Sequence, residues 1–128
     1  MIIGIGIDLI EIKRIEKALQ RNNFSEKLFT EHERQYCDAR KTLRVHSYAA
    51  RYAAKEAVAK AFGFGFRGSL SSLVDIEIKN DENGAPFVVL KGGFLDMAEK
   101  KNVSKIFISL THSKEYAIAE VILWSDSI

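Results

Sequence analysis

Proline and cysteine are almost absent from this chain: it has one of each, Pro86 and Cys37, in 128 residues. A lone cysteine excludes an intrachain disulfide framework and fits a reducing compartment. No apolar run reaches the roughly 20 residues that a membrane-crossing helix needs. The apolar start MIIGIGIDLI lacks a basic leader and meets Asp8 too early for a signal peptide. Neither sign of charge dominates. Nineteen basic and 17 acidic residues leave a net charge of +2, too weak to argue for nucleic acid as a partner. No internal repeat or low-complexity linker marks a boundary. The expectation is a single domain over residues 1–128, cytoplasmic, with no membrane or nucleic-acid partner. Its 47% hydrophobic and 28% charged residues are those of a globular domain.

Alanine, by contrast, is concentrated. The stretch from Ser47 to Gly63, SYAARYAAKEAVAKAFG, holds seven. Alanine loses no side-chain entropy in a helix, so this is the strongest helical run in the chain. Ala49, Ala53, Ala57 and Ala61 recur every four residues, with Ala50, Ala54 and Val58 beside them. Such a ridge of methyl groups lets another backbone come close. Tyr48, Tyr52, Glu56 and Lys60 run along a neighbouring line. Gly63 ends the helix as a C′ glycine.

Ile2 to Ile10 reads as a buried strand with Ile3, Ile5, Ile7 and Leu9 on one face. Gly4, Gly6 and Asp8 fall on the other, and two glycines on one face mark a close approach. The alanine-ridged helix is the natural neighbour. GIGIDL lies within a strand and lacks a third glycine, so it is a poor dinucleotide fingerprint. Glu11 to about Arg21 is an amphipathic helix on Ile12, Ile15 and Leu19. Its exposed side carries Lys13, Arg14, Lys17 and Arg21, either a solvated face or a docking surface for an acidic partner, with Phe24 at its edge.

Thr30-Glu31-His32-Glu33 is a capping box that starts a helix ending near Ala39. FGFGFRG after the central helix is a loop that packs across a ligand or caps a core edge. Val74 to Lys79 alternates as a half-buried strand, Asn83-Gly84 turns it, and Phe87 to Leu90 returns. A short helix follows, from Phe94 to Lys101. Ser104 to His112 and Tyr116 to Trp124 complete the strands. The order implies an α+β domain, an antiparallel sheet with helices packed on one face.

Asp8 and Glu56 stand out. An exposed Glu56–Lys60 ion pair is the simplest account of those two residues, worth a few tenths of a kcal/mol. Yet Asp8 ends the glycine face, and Glu56 lies on the helix that covers it. Two partly buried carboxylates repel, and a hard divalent cation relieves the repulsion. Mg2+ takes one or two carboxylates and fills its other positions with water and phosphate oxygens. Lys55 and Lys60 flank Glu56, where phosphates want positive charge. The residues therefore propose a metal–phosphate site.

GIGIDLIEIKRI, RYAAKEAVAKAFG, DIEIKNDENGAPFV and SLTHSKEYAIAEV together resemble the holo-(acyl-carrier-protein) synthases. These are the small bacterial-type 4′-phosphopantetheinyl transferases, and the resemblance runs from about Met1 to Trp124. It implies their fold and their reaction. The phosphopantetheine arm of coenzyme A moves to a serine of an apo acyl carrier protein, releasing 3′,5′-ADP, in fatty acid biosynthesis. Carried over residue by residue, Asp8 and Glu56 match the Mg2+ ligands. Lys60 matches the lysine beside the pyrophosphate, with Glu56 and Lys60 as the catalytic pair. Lys55 would bind phosphate. Thr111 and His112 match the segment that contacts coenzyme A; the family often has serine at the first of these.

Larger relatives place a second acid two residues after the aspartate. Here that position is Ile10, so two protein carboxylates are expected on the metal. Either Glu56 or a water on the cation takes the serine's proton, and the sequence does not choose. The resemblance also implies docking of the acidic carrier on Lys13, Arg14, Lys17 and Arg21. It further implies a homotrimer with active sites between subunits, so that His112 serves a neighbour's site. The alternatives are a non-catalytic module binding carrier protein or coenzyme A on the same scaffold, and a plain interaction domain with a structural Glu–Lys pair.

Overall fold

The computed structural model describes residues 1–63 and 70–127. Of the FGFGFRG segment it describes only Phe62 and Gly63, and the loop reading of the remainder lies outside the described residues. The elements run β1 (Ile2–Glu11), α1 (Ile12–Leu19), α2 (Phe24–Leu28), α3 (Glu31–Asp38) and α4 (Arg44–Ala61). After them come β2 (Ile76–Asn80), β3 (Pro86–Leu90), α5 (Gly92–Lys100), β4 (Lys105–His112) and β5 (Tyr116–Trp124). Short 3-10 turns, Lys41–Leu43 and Leu70–Asp75, lead into α4 and β2.

The strands form two antiparallel sheets: β1-β5-β4, and the hairpin β2-β3. Helix α4 covers one face of the larger sheet. A Cβ on Gly6 would lie 1.9 Å from the carbonyl oxygen of Ala57, and one on Gly4 would lie 2.1 Å from that of Ala61. No side chain larger than hydrogen fits, so the glycine face and the alanine ridge are two halves of one contact. Ala117, Ala119, Val121 and Leu123 of β5 are buried on the same side.

The opposite face of β1 departs from expectation. Ile5, Ile7 and Leu9 are 65%, 58% and 56% exposed. Only one layer of helix covers this sheet, so the isoleucine side of the strand lies outside it.

Helix α4 is enclosed on its far side as well, by α3 and β2. The capping box forms in full: Thr30 Oγ1 accepts from Glu33 N, and Glu33 Oε1 accepts from Thr30 N at 2.9 Å. Phe24–Leu28 is an additional short helix that the sequence pattern did not announce, packing Phe24 edge-on to Phe29. The strand expected from Val74 begins at Ile76, because Val74 and Asp75 belong to the preceding 3-10 turn. Gly63 adopts φ +93° and donates to Lys60 O at 2.9 Å, the left-handed stop expected of it.

Candidate active site

Asp8 sits on β1, two residues beyond Gly6, facing α4. Glu56 is on α4, next to Ala57, whose carbonyl meets Gly6. The close helix–strand contact therefore delivers both carboxylates to one pocket of about 210 Å³, lined also by Ile10, Arg14, Tyr52 and Lys60. Lys60 makes its ion pair across the elements: its Nζ lies 2.9 Å from Asp8 Oδ1 and donates to Ile7 O at 3.0 Å.

Burial, and then the charge of Asp8, push the Glu56 carboxyl above its ordinary range; the Tyr52 hydroxyl and Lys60 oppose them. Tyr52 lies one helical turn before Glu56 and lines the same pocket. Its own pKa is pushed up to about 12 by burial and then by the Glu56 charge, with Arg14 opposing.

The family model described as the 4′-phosphopantetheinyl transferase superfamily matches residues 4–121. The chain belongs to this superfamily. Within the superfamily it is 45% identical to a holo-(acyl-carrier-protein) synthase of Clostridium tetani, over all of both chains. It is 48% identical to that of Clostridium novyi, over 99% of this chain and 91% of the relative. Among solved structures, the Bacillus anthracis synthase in complex with coenzyme A (3′,5′-ADP) is 40% identical, with a TM-score of 0.81, over 98% of this chain and 99% of that one. The Neisseria meningitidis synthase is 30% identical, with a TM-score of 0.85, over 98% of this chain and all of the other.

One residue expected at this transferase site is elsewhere. Lys55 is fully buried on the opposite side of α4. Its Nζ donates to Glu33 Oε1 at 2.9 Å and to the carbonyls of Leu73 at 3.0 Å and Ile76 at 2.5 Å. All three ammonium donors are used inside the protein, leaving none for a phosphate. Successive helical residues point about 100° apart. Lys55 therefore faces α3 and β2 while Glu56 faces the pocket. Glu33, the capping-box acid, is the partner that the sequence pattern left unassigned; its Oε2 also accepts from Ile78 N at 2.9 Å.

The helix expected to reach about Arg21 ends at Leu19, so Arg21 lies just past α1, and the four basic residues divide. Arg14, Lys17 and Arg21, spaced three and four apart, line one groove of about 300 Å³ with Phe24 and Tyr52. Lys13 falls off this stripe and lines a separate cavity beside Lys114 and Tyr116. Arg14 and Tyr52 line both the basic groove and the carboxylate pocket, so the two hollows share a wall.

Thr111 and His112 close β4, across β5 from β1. Thr111 pairs with Ile118, and Ile118 with Leu9, which puts Thr111 on the exposed isoleucine face. His112 points to the helix side, its ring 5.2 Å from that of His46. His46 is ten residues before Glu56, roughly 15 Å along the helix. Within one chain, neither Thr111 nor His112 joins the Asp8–Glu56 pocket.

Proposed function

We propose that this chain, as one domain over residues 1–128, transfers the 4′-phosphopantetheine arm of coenzyme A to a serine of an apo acyl carrier protein, releasing 3′,5′-ADP. The observation that carries the reading is the pair Asp8 and Glu56 in one pocket, with Lys60 at its edge. Superfamily membership supplies the reaction class, and relatives at 45% and 48% identity are holo-(acyl-carrier-protein) synthases.

A divalent cation suits this pocket. Two carboxylates share it, and the charge on Asp8 helps push Glu56 toward its neutral form, which a cation between them would reverse. Among the described residues no cluster of three or more His, Cys, Asp or Glu side chains surrounds a common point. Two carboxylates with water and phosphate oxygens make a set that Mg2+ accepts. Asp8 and Glu56 would hold it, and when bound it would polarise the pyrophosphate.

The chain's own groups do the rest. Displacement at phosphorus needs positioning and charge balance more than covalent help. Lys60 is partly exposed on a flexible stem, so its ammonium can leave Asp8 and balance the charge on the departing 3′,5′-ADP. Arg14, on the shared wall, adds positive charge between pocket and groove. Arg14, Lys17 and Arg21 attract an acidic carrier and lay its serine toward Glu56.

The assembly is a homotrimer with sites between subunits. Ile5, Ile7, Leu9 and Phe107, between 50% and 65% exposed, share one sheet face with Thr111. Such a contiguous apolar face favours association. A neighbouring subunit that covers it would meet Thr111, while His112 points to the helix side at the end of the same strand. No helix among the described residues is long and apolar enough to cross a membrane, and the proposed location is the cytoplasm.

The test is the intact mass of an apo acyl carrier protein incubated with this chain, coenzyme A and Mg2+. A gain of one phosphopantetheine that disappears on chelation supports both the reaction and its metal requirement. No gain on a folded cognate carrier overturns the transferase reading in favour of a binding module.

A further inference from the structure

Lys60 stands where two oxygen atoms of β1 converge. Its Nζ lies 2.9 Å from Asp8 Oδ1 and donates to Ile7 O at 3.0 Å, so successive residues of the strand offer a carbonyl and a carboxylate to one ammonium. Glu56, one helical turn before Lys60, lines the same pocket. Carboxylate and carbonyl oxygens are the ligands that a hard divalent cation takes. Here a side-chain ammonium holds them. The two lysines of this part of α4 differ in how firmly they are held. The Lys55–Glu33 pair is fully buried, whereas the Lys60 side chain is 39% exposed and that of Asp8 15%. An ammonium on a four-carbon stem is flexible and strongly hydrated, so Lys60 has a way out into solvent.

We propose that Lys60 is a built-in competitor of the divalent cation: its ammonium holds Asp8 in the metal-free protein and gives the carboxylate up when the ion binds. The inference rests on the proposed function above, which gives Asp8 an ion to hold. Two positive charges against one carboxylate repel, so the ammonium and the ion exclude one another from Asp8. Once displaced, Lys60 is free to pair with the pyrophosphate of coenzyme A. Cation and coenzyme A therefore bind cooperatively, each strengthening the other by the same factor.

The experiment uses the full-length protein and compares Lys60→Gln and Arg14→Gln with the parent. The probe is Mn2+, which suits the same oxygen ligands as Mg2+, and the free ion is followed by electron paramagnetic resonance without coenzyme A. Thermal melting confirms that each variant is folded. Lys60→Gln is expected to bind Mn2+ about fivefold more tightly, the upper end of what a partly exposed ion pair contributes. At saturating cation its KM for coenzyme A rises and its kcat falls. Tighter cation binding with poorer transfer is a signature that a merely structural lysine would not give. Arg14 lines the pocket too, and Arg14→Gln removes a positive charge while leaving the Lys60–Asp8 pair in place. It is expected to stay near the parental Mn2+ affinity. Unchanged or weaker Mn2+ binding in Lys60→Gln overturns the inference and leaves the proposed function standing. Equal tightening in Arg14→Gln also overturns it, because the general field of the pocket would then account for the gain. Absence of Mn2+ binding in all three proteins, with and without coenzyme A, overturns the inference and the cation reading together.

Discussion

Gly6 and Ala57 are in backbone contact: a methyl group on Gly6 would lie 1.9 Å from the Ala57 carbonyl oxygen and 2.8 Å from the Ala61 nitrogen. Those atoms are helix backbone and cannot swing aside. The contact sets the distance between β1 and α4, and so the distance between Asp8 and Glu56, two residues beyond Gly6 and one before Ala57.

Gly6→Ala should therefore cost at least the roughly 1–3 kcal/mol typical of overpacking. Urea unfolding measures the loss. Transfer should fall further than stability accounts for, because the helix must move away from Asp8. An unchanged unfolding midpoint would contradict the close contact.

Asp8→Ala and Glu56→Ala should each abolish transfer, read as the carrier's unshifted mass, while melting stays near the parental temperature. Removing either carboxylate also removes a like charge from the pocket, so neither variant should be strongly destabilised. Normal turnover in either one would end the assignment of the pair as cation ligands.

Arg14 and Lys17 separate docking from chemistry. Lys17 lines only the basic groove, while Arg14 lines the groove and the carboxylate pocket. Lys17→Glu should raise the carrier KM, increasingly so at low ionic strength, and leave the KM for coenzyme A unchanged. Arg14→Glu should raise the carrier KM and also lower kcat. Equal effects of both substitutions on every constant would show that the shared wall has no special role.

Lys55 is expected to matter for stability and not for phosphate. Breaking a buried ion pair strands the remaining charge and costs about 3–5 kcal/mol. Lys55→Met should lose that much in denaturant unfolding. Below its melting transition it should keep the parental KM for coenzyme A. A large rise in that KM in the folded variant would return Lys55 to the phosphate site.

Glu77 gives a dependence on pH. Burial alone raises its carboxyl, but the Thr30 hydroxyl and the charges of Lys91 and Lys79 outweigh burial and hold it below its ordinary value of 4.5. Thr30 Oγ1 donates to Glu77 Oε2 at 2.7 Å. A carboxylate with a lowered folded pKa stabilises the protein above its unfolded pKa, and the contribution is lost as the pH falls through the folded value. Glu77→Gln should thus cost about 1–2 kcal/mol at neutral pH. The gap to the parent should narrow as the pH drops below 4.5. A gap independent of pH would mean that the charge on Glu77 contributes nothing.

Local pattern was enough for the longer elements and for the meeting of Asp8 with Glu56. Helix propensity made α4 legible in its alanines, the capping box marked the start of α3, and Gly4 and Gly6 announced a close neighbour. Joining the glycine face to the alanine ridge brings Asp8 to Glu56 on sequence alone. These signals are short in range, and each is carried by backbone sterics that hold in almost any setting. The direction taken by Lys55 and the exposure of Ile5, Ile7 and Leu9 were decided by layering instead. Helix α4 is covered on both sides, so a lysine that would ordinarily face water became a buried partner of Glu33, 22 residues earlier. The sheet is covered on one side, so isoleucines that would ordinarily be core were left outside. A residue's own chemistry determines which element it joins and which contacts it can make. Which face of that element meets water depends on what the rest of the chain packs against it, and only the tertiary structure decides that.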